Sequence, residues 1–131
     1  MNPDLYLLDT HTLIFWQQKI NISAGLINRL DNSLNENNVF ISSVSFWEIA
    51  LLNKKGWIHL GDVKKWMTEI LEATGIVLLK PTAEEMVDSA ALKDIHNDPF
   101  DRLLISQAIS NGLVFVTKDK MISKYEVKTL W

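Results

Sequence analysis

Four acidic residues interrupt strongly apolar stretches of this 131-residue chain: Asp9, Glu48, Asp101 and Asp119. A carboxylate in apolar surroundings is costly unless something neutralises it, so carboxylates brought together call for a cation. Each also has an ordinary structural use. Asp9, in Leu7-Leu8-Asp9-Thr10-His11-Thr12, could cap a helix starting near His11. Glu48 sits in Val44-Ser45-Phe46-Trp47-Glu48-Ile49-Ala50-Leu51-Leu52, a segment apolar on nearly every face. That predicts a buried helix in which the glutamate needs a metal or a basic partner. Asp98 before Pro99 is the best N-cap in the chain, because proline favours the first helical position. Asp101, two positions after Pro99, suits the positive end of the same helix. Asp119, in Thr117-Lys118-Asp119-Lys120, reads alone as a turn residue.

The elements that must position these residues alternate in type. Short apolar runs at Leu5–Leu8, Val39–Ile41, Ile76–Leu79, Leu113–Val116 and Val127–Leu130 are strand candidates. The first four are continuously apolar, as expected of parallel strands covered on both faces, and the last alternates as an edge strand would. Between them lie helical segments: Ala24–Leu34 opened by Ser23, about Val44 to Asn53, Val63–Ala73 opened by Asp62, Ala83–Leu92 opened by Thr82, and Pro99–Ser110 opened by Asp98. Strands alternating with helices predict an α/β fold on a mostly parallel sheet. Crossover helices start at the sheet's carboxyl edge, where open α/β folds bind ligands. Asp9 follows the first strand, Asp119 the fourth, Glu48 lies in the first turns of the helix after the second, and Asp101 in the first turn of the helix leading into the fourth. All four fall on one rim.

Composition narrows the possibilities. The length suits one domain, residues 1–131, and no stretch reads as a linker. Runs such as Leu5–Leu8, Leu13–Trp16 and Ile76–Leu79 fall far short of the ~18 apolar residues of a membrane span. The start Met1-Asn2-Pro3-Asp4 lacks the features of a secretory signal. The absence of cysteine excludes disulfides and thiolate metal sites, which fits a cytoplasmic location. With 13 basic and 16 acidic residues, net charge −3, there is no global attraction to a polyanion. Nucleic-acid binding would depend on local basic groups or bound metal.

Four segments together, Leu7-Leu8-Asp9-Thr10-His11, Ser42-Ser43-Val44-Ser45-Phe46-Trp47-Glu48-Ile49, His96-Asn97-Asp98-Pro99-Phe100-Asp101-Arg102-Leu103-Leu104-Ile105 and Val116-Thr117-Lys118-Asp119, resemble in order and spacing the PIN-domain ribonucleases, specifically the VapC-type toxins of toxin–antitoxin pairs. The resemblance spans Asp4 to about Leu130. It implies a three-layer α/β/α sandwich on a five-stranded sheet, and an acidic site for Mg²⁺ or Mn²⁺ made by Asp9, Glu48, Asp101 and Asp119. It places Asp98 near that site and gives Thr10, Ser45 and Thr117 an orienting part. It also implies an RNA substrate, a small protein antitoxin and a homodimer. Hard divalent cations suit carboxylate oxygens, and either one or two ions could act. Asp9 and Asp101 are expected as direct ligands, with Glu48 and Asp119 binding a second ion or ordering its water.

Two other functions share some features. A haloacid-dehalogenase-like phosphohydrolase also opens with an apolar strand and an Asp, but expects a second Asp where His11 stands. A catalytically silent PIN-like binding module would not need all four acidic positions intact. His11 and His96 could belong to a zinc or general-base site, or simply support the carboxylates. Arg102 could hold a substrate phosphate or, as the expected use, pair with a neighbouring carboxylate. The pairs Lys54-Lys55 and Lys64-Lys65, near Trp57 and Trp66, read as a solvated helix face, with RNA, dimer or antitoxin contacts as the alternatives.

Overall fold

The computed structural model describes residues 4–131, so the Met1–Pro3 start read above for a secretory signal lies outside them. The first strand, β1 (Tyr6–Leu8), leads directly into α1 (Thr10–Gln18). There follow α2 (Ala24–Leu34), β2 (Val39–Ser42), α3 (Ser43–Lys54), α4 (Val63–Ala73) and β3 (Val77–Leu79). The chain continues through α5 (Ala83–Ala91), α6 (Pro99–Asn111), β4 (Val114–Val116), a 3-10 turn (Lys120–Lys124) and β5 (Thr129–Leu130). The expected start signals operate locally. Ser23, Asp62 and Asp98 each accept hydrogen bonds from backbone N–H groups of the helix they open, and Thr82 with Glu85 forms a capping box. Gly112, at φ 64°, stops α6 in a left-handed conformation open to a residue without Cβ.

The strands form one sheet in the order β3-β2-β1-β4-β5, and all four pairings are parallel. Apolar runs without polar alternation work here because both faces are covered. Leu8, Val114 and Val116 face a core built with α1 to α4, through Leu13, Leu30, Ile49 and Ile70. Leu7 and Phe115 face the opposite side, against Leu104, Ile105 and Ala108 of α6 and Ile122 of the 3-10 turn. The fold is therefore the α/β/α sandwich expected. Each fully buried Leu or Phe contributes roughly 2 kcal/mol of transfer free energy, so the central strands make a firm base for polar groups at their ends.

The helix foreseen near His11 is α1, which buries Thr10 and Thr12 along with Leu13, Ile14 and Trp16. Two expectations need correction. β3 is an edge strand and only half-buried, although its residues are as apolar as those of the centre. α3 is not buried all round, because Trp47 is 62% exposed. Its indole packs edge-on against Phe100 of α6, with ring centroids 5.0 Å apart. Among the described residues no helix is long and apolar enough to cross a membrane.

Candidate metal centre

The strand order reverses at β1: the chain moves from β1 to β2 and β3 on one side, then returns to β4 and β5 on the other. Such a switch point opens a crevice at the carboxyl ends of the strands. The register pairs Leu8 with Val116, so Asp9 and Thr117 stand side by side where β1 and β4 end. Asp9 N–H donates to Val116 O (3.0 Å), and Thr117 Oγ1 donates to Asp9 Oδ2 (2.8 Å). Asp9 occupies the N-cap position of α1, yet its side chain makes no capping bond. It is only 8% exposed, and its Oδ1 is buried without a hydrogen-bond partner. Burial raises its pKa, with the Thr117 hydrogen bond and the nearby His11 opposing that shift.

Glu48 comes from the second turn of α3 and is half-buried. Its Oε1 is likewise buried and unpartnered. Burial raises its pKa, the Thr10 side chain opposes, and Asp98 and Asp9 push it up further. Thr10 Oγ1 donates to Ser45 Oγ (2.9 Å), tying the first turn of α1 to α3 beneath these acids. Asp101, in the first turn of α6, is driven up as well: burial, then Asp9, Asp98, Glu48 and Asp119, lift its pKa from 3.8 to about 8. The structure thus brings all four acidic residues within electrostatic reach of one another. Asp98 is the N-cap foreseen for it. Its Oδ1 caps α6 by accepting from Phe100 N (2.8 Å) and Asp101 N (3.3 Å), while its charge reaches Glu48 and Asp101.

Asp119 is more than a turn residue. Its Oδ1 opens the 3-10 turn by accepting from Met121 N (2.9 Å), its backbone N–H donates to Thr117 Oγ1 (3.1 Å), and its Oδ2 meets His96 Nε2 at 2.9 Å. The same Nε2 lies 3.2 Å from Asp101 Oδ2. His96 Nδ1 accepts from Asp98 N–H (3.1 Å), so the ring carries its proton on Nε2 and donates toward the two carboxylates. The three side chains are close enough to hold an ion, their ligand atoms lying within 4.8 Å of one another. While Asp98 N–H stays on Nδ1, however, Nε2 is a donor and not a ligand. That geometry makes His96 a support for the carboxylates.

Of the two uses foreseen for His96, a zinc or general-base site and a support for the carboxylates, its contacts favour the second. Arg102 makes the expected ion pair, but that is the lesser part of its contacts. Its nearest carboxylate is the fully solvated Asp94 at 3.8 Å, whereas its guanidinium donates to the carbonyls of Ser89, Ala90, Leu92, Lys93 and His96. It closes the carboxyl end of α5 and folds the 92–96 link that presents His96. Of the midchain tryptophans, Trp66 packs against Phe46 as a core residue would, and Trp57 is exposed.

The acids open on a cleft of ≈ 360 Å³ lined by Asp9, His11, Phe15, Asp101, Lys118 and Asp119. Glu48 and Asp98 are not among its lining residues. The donor set fits a hard divalent cation: two buried carboxylate oxygens lack partners, and burial with its acidic neighbours pushes the Asp101 pKa up to about 8.

Comparison with known proteins agrees with this geometry. A family model described as the PIN domain matches residues 6–128. Ribonuclease VapC22 of Mycobacterium tuberculosis is 27% identical over 124 residues, covering 91% of this chain and 90% of its own. Two solved structures share the fold. The DNA-bound VapBC of Salmonella typhimurium superposes with a TM-score of 0.74 at 19% identity, covering 98% of each chain. VapBC2 of Rickettsia felis, bound to a promoter DNA fragment, superposes with a TM-score of 0.72 at 16% identity, covering 96% of this chain and 97% of that one.

Proposed function

We propose a function from one premise: the chain belongs to the PIN domain family. It is a ribonuclease of the VapC kind, the toxin of a toxin–antitoxin pair, cleaving RNA phosphodiesters with Mg²⁺ or Mn²⁺ as cofactor. Residues 1–131 act as one domain in the cytoplasm. The observation that carries the reading is Asp9 Oδ1, a buried carboxylate oxygen with no partner at the floor of an acidic cleft.

Asp9 and Asp101 would hold the ion directly, and Glu48 and Asp119 would take a second ion or order its water. A bound divalent ion supplies charge neutralisation and an activated water for in-line attack at phosphorus. The protein's own groups prepare the place. Thr117 fixes Asp9 by donating to Oδ2, which leaves Oδ1 without a partner. The Thr10–Ser45 pair holds α1 against α3 next to Glu48. His96 keeps Asp101 and Asp119 together through Nε2–H. An antitoxin would inhibit by covering this cleft, and the exposed Trp47 and Trp57 offer apolar surface to protein partners, the antitoxin or a second copy.

The test is cleavage of single-stranded RNA by the purified protein. Activity is expected with Mg²⁺ or Mn²⁺, none in EDTA, and none from Asp9→Asn despite an unchanged circular dichroism spectrum. Undiminished cleavage by the folded Asp9→Asn protein would show that the nuclease activity lies elsewhere.

A further inference from the structure

The side of the cleft away from α3 contains groups for which the metal centre has no use. Among the residues lining the cleft, Lys118 is the permanent cation. Despite its acidic neighbours it makes no ion pair among the described residues. Its ammonium lies instead 5.9 Å from the centroid of the Phe15 ring. Trp131 meets the same ring edge-on, with centroids 6.2 Å apart, and stays 43% exposed. The sheet sets this arrangement, because Val116 pairs with Leu130 and Thr117 N–H donates to Leu130 O (3.1 Å), which brings Trp131 beside Thr117 and one residue from Lys118. His11, at 6.2 Å from Phe15, continues the aromatic strip toward Asp9.

We infer that Lys118, Phe15 and Trp131 form a nucleotide subsite beside the metal centre, which holds the residue next to the scissile phosphodiester of a single-stranded RNA. Lys118 takes that nucleotide's phosphate, and the Phe15–Trp131 edge receives its base by stacking. The inference rests on the ribonuclease reading and adds to it a binding role for residues outside the acidic set. The chemistry is that of single-strand recognition generally: a cation follows the backbone while aromatic faces accept any base. An unpaired ammonium on an aromatic ring remains available to a phosphate. One paired with Asp119 would not be.

The experiment measures binding of a fluorescein-labelled oligouridylate to the cleavage-deficient Asp9→Asn protein in Mg²⁺, by anisotropy across a range of salt concentrations. Adding Lys118→Met is expected to weaken binding about fivefold and to reduce the salt slope by about 0.7, the contribution of one single-strand phosphate contact. Lys118→Arg should restore both. Trp131→Ala should weaken binding by about fivefold or more through lost stacking, without altering the salt slope. In the otherwise unaltered protein, Lys118→Met should raise KM with kcat little changed. Binding and salt slope unaffected by Lys118→Met, in a protein that does bind and cleave RNA, would overturn the subsite alone. Failure of the unaltered protein to bind or cleave RNA would overturn the ribonuclease reading and the subsite with it.

Discussion

Replacing Asp101 by asparagine is expected to stabilise the metal-free protein while abolishing RNA cleavage. Asp101 is 18% exposed and is crowded by Asp9, Asp98, Glu48 and Asp119, so its pKa rises from 3.8 to about 8. A carboxyl group whose pKa is higher in the folded state stabilises fully below its unfolded value, and that contribution drains away as pH climbs through the folded value. The window here runs from about pH 4 to about pH 8. At about 1.4 kcal/mol per pH unit, holding the proton to neutral pH forfeits at most ~4 kcal/mol by pH 7. Solvent in the open cleft and relaxation of the site lower that ceiling. We therefore expect Asp101→Asn to be about 1–3 kcal/mol more stable at about pH 8 and nearly equal near pH 4. Urea unfolding followed by circular dichroism in EDTA, repeated across that range, measures the difference. Added Mg²⁺ should reverse the order, because only the carboxylate gains binding energy linked to folding. A variant less stable than its parent throughout, with a parallel pH dependence, would mean that Asp101 is paired and not crowded, and the electrostatic account of the site would fall.

Two further substitutions test the supports. His96→Ala removes the donor between Asp101 and Asp119 and should weaken Mg²⁺ binding, read by calorimetry, by about tenfold, as loss of a group orienting ligand carboxylates usually does. Unchanged affinity would make His96 a bystander. Arg102→Met deletes the donor to five carbonyls and should cost about 2–4 kcal/mol in urea unfolding, with Arg102→Lys giving little rescue because an ammonium cannot span the same fork. Full rescue by lysine would show that charge alone suffices there.

The parts of the fold that were legible were those in which one short segment carries its own reason. Ser23, Asp62, Thr82 and Asp98 each precede a helix whose first backbone N–H groups they cap, and those helices begin where the caps predict. The central strands were legible because only a strand buried on both faces accepts runs such as Val114-Phe115-Val116. β5 is the edge strand expected, and β3 shows the limit of that reasoning. Val77-Leu78-Leu79 is as apolar as a central strand yet lies at the edge, since strand order depends on how the helices between strands pack. α3 shows the same limit for helices: hydrophobicity all round suggested burial, and the groove against α6 instead leaves Trp47 mostly in solvent.

Asp9 and Asp98 show why the site itself was only half legible. Both precede a helix, both have the extended backbone of an N-cap, and either could have been filed as structural. Asp98 makes the capping bonds, helped by Pro99, which leaves the N–H groups of Phe100 and Asp101 to be satisfied by its Oδ1. Asp9 makes none, because Thr117, 108 residues away in the chain, donates to its Oδ2 and turns the carboxylate along the strand ends. No local pattern encodes that choice; it arises when β4 settles beside β1. His96 follows the same rule, since its proton is placed by Asp98 N–H and its ring is carried by a link that Arg102 and Tyr125 fold. The sequence therefore supplies the acids, and the tertiary hydrogen bonds decide which of their oxygens remain free. A carboxylate oxygen that is both buried and unpartnered, as in Asp9 and Glu48, is the feature that separates a cation site from a set of caps.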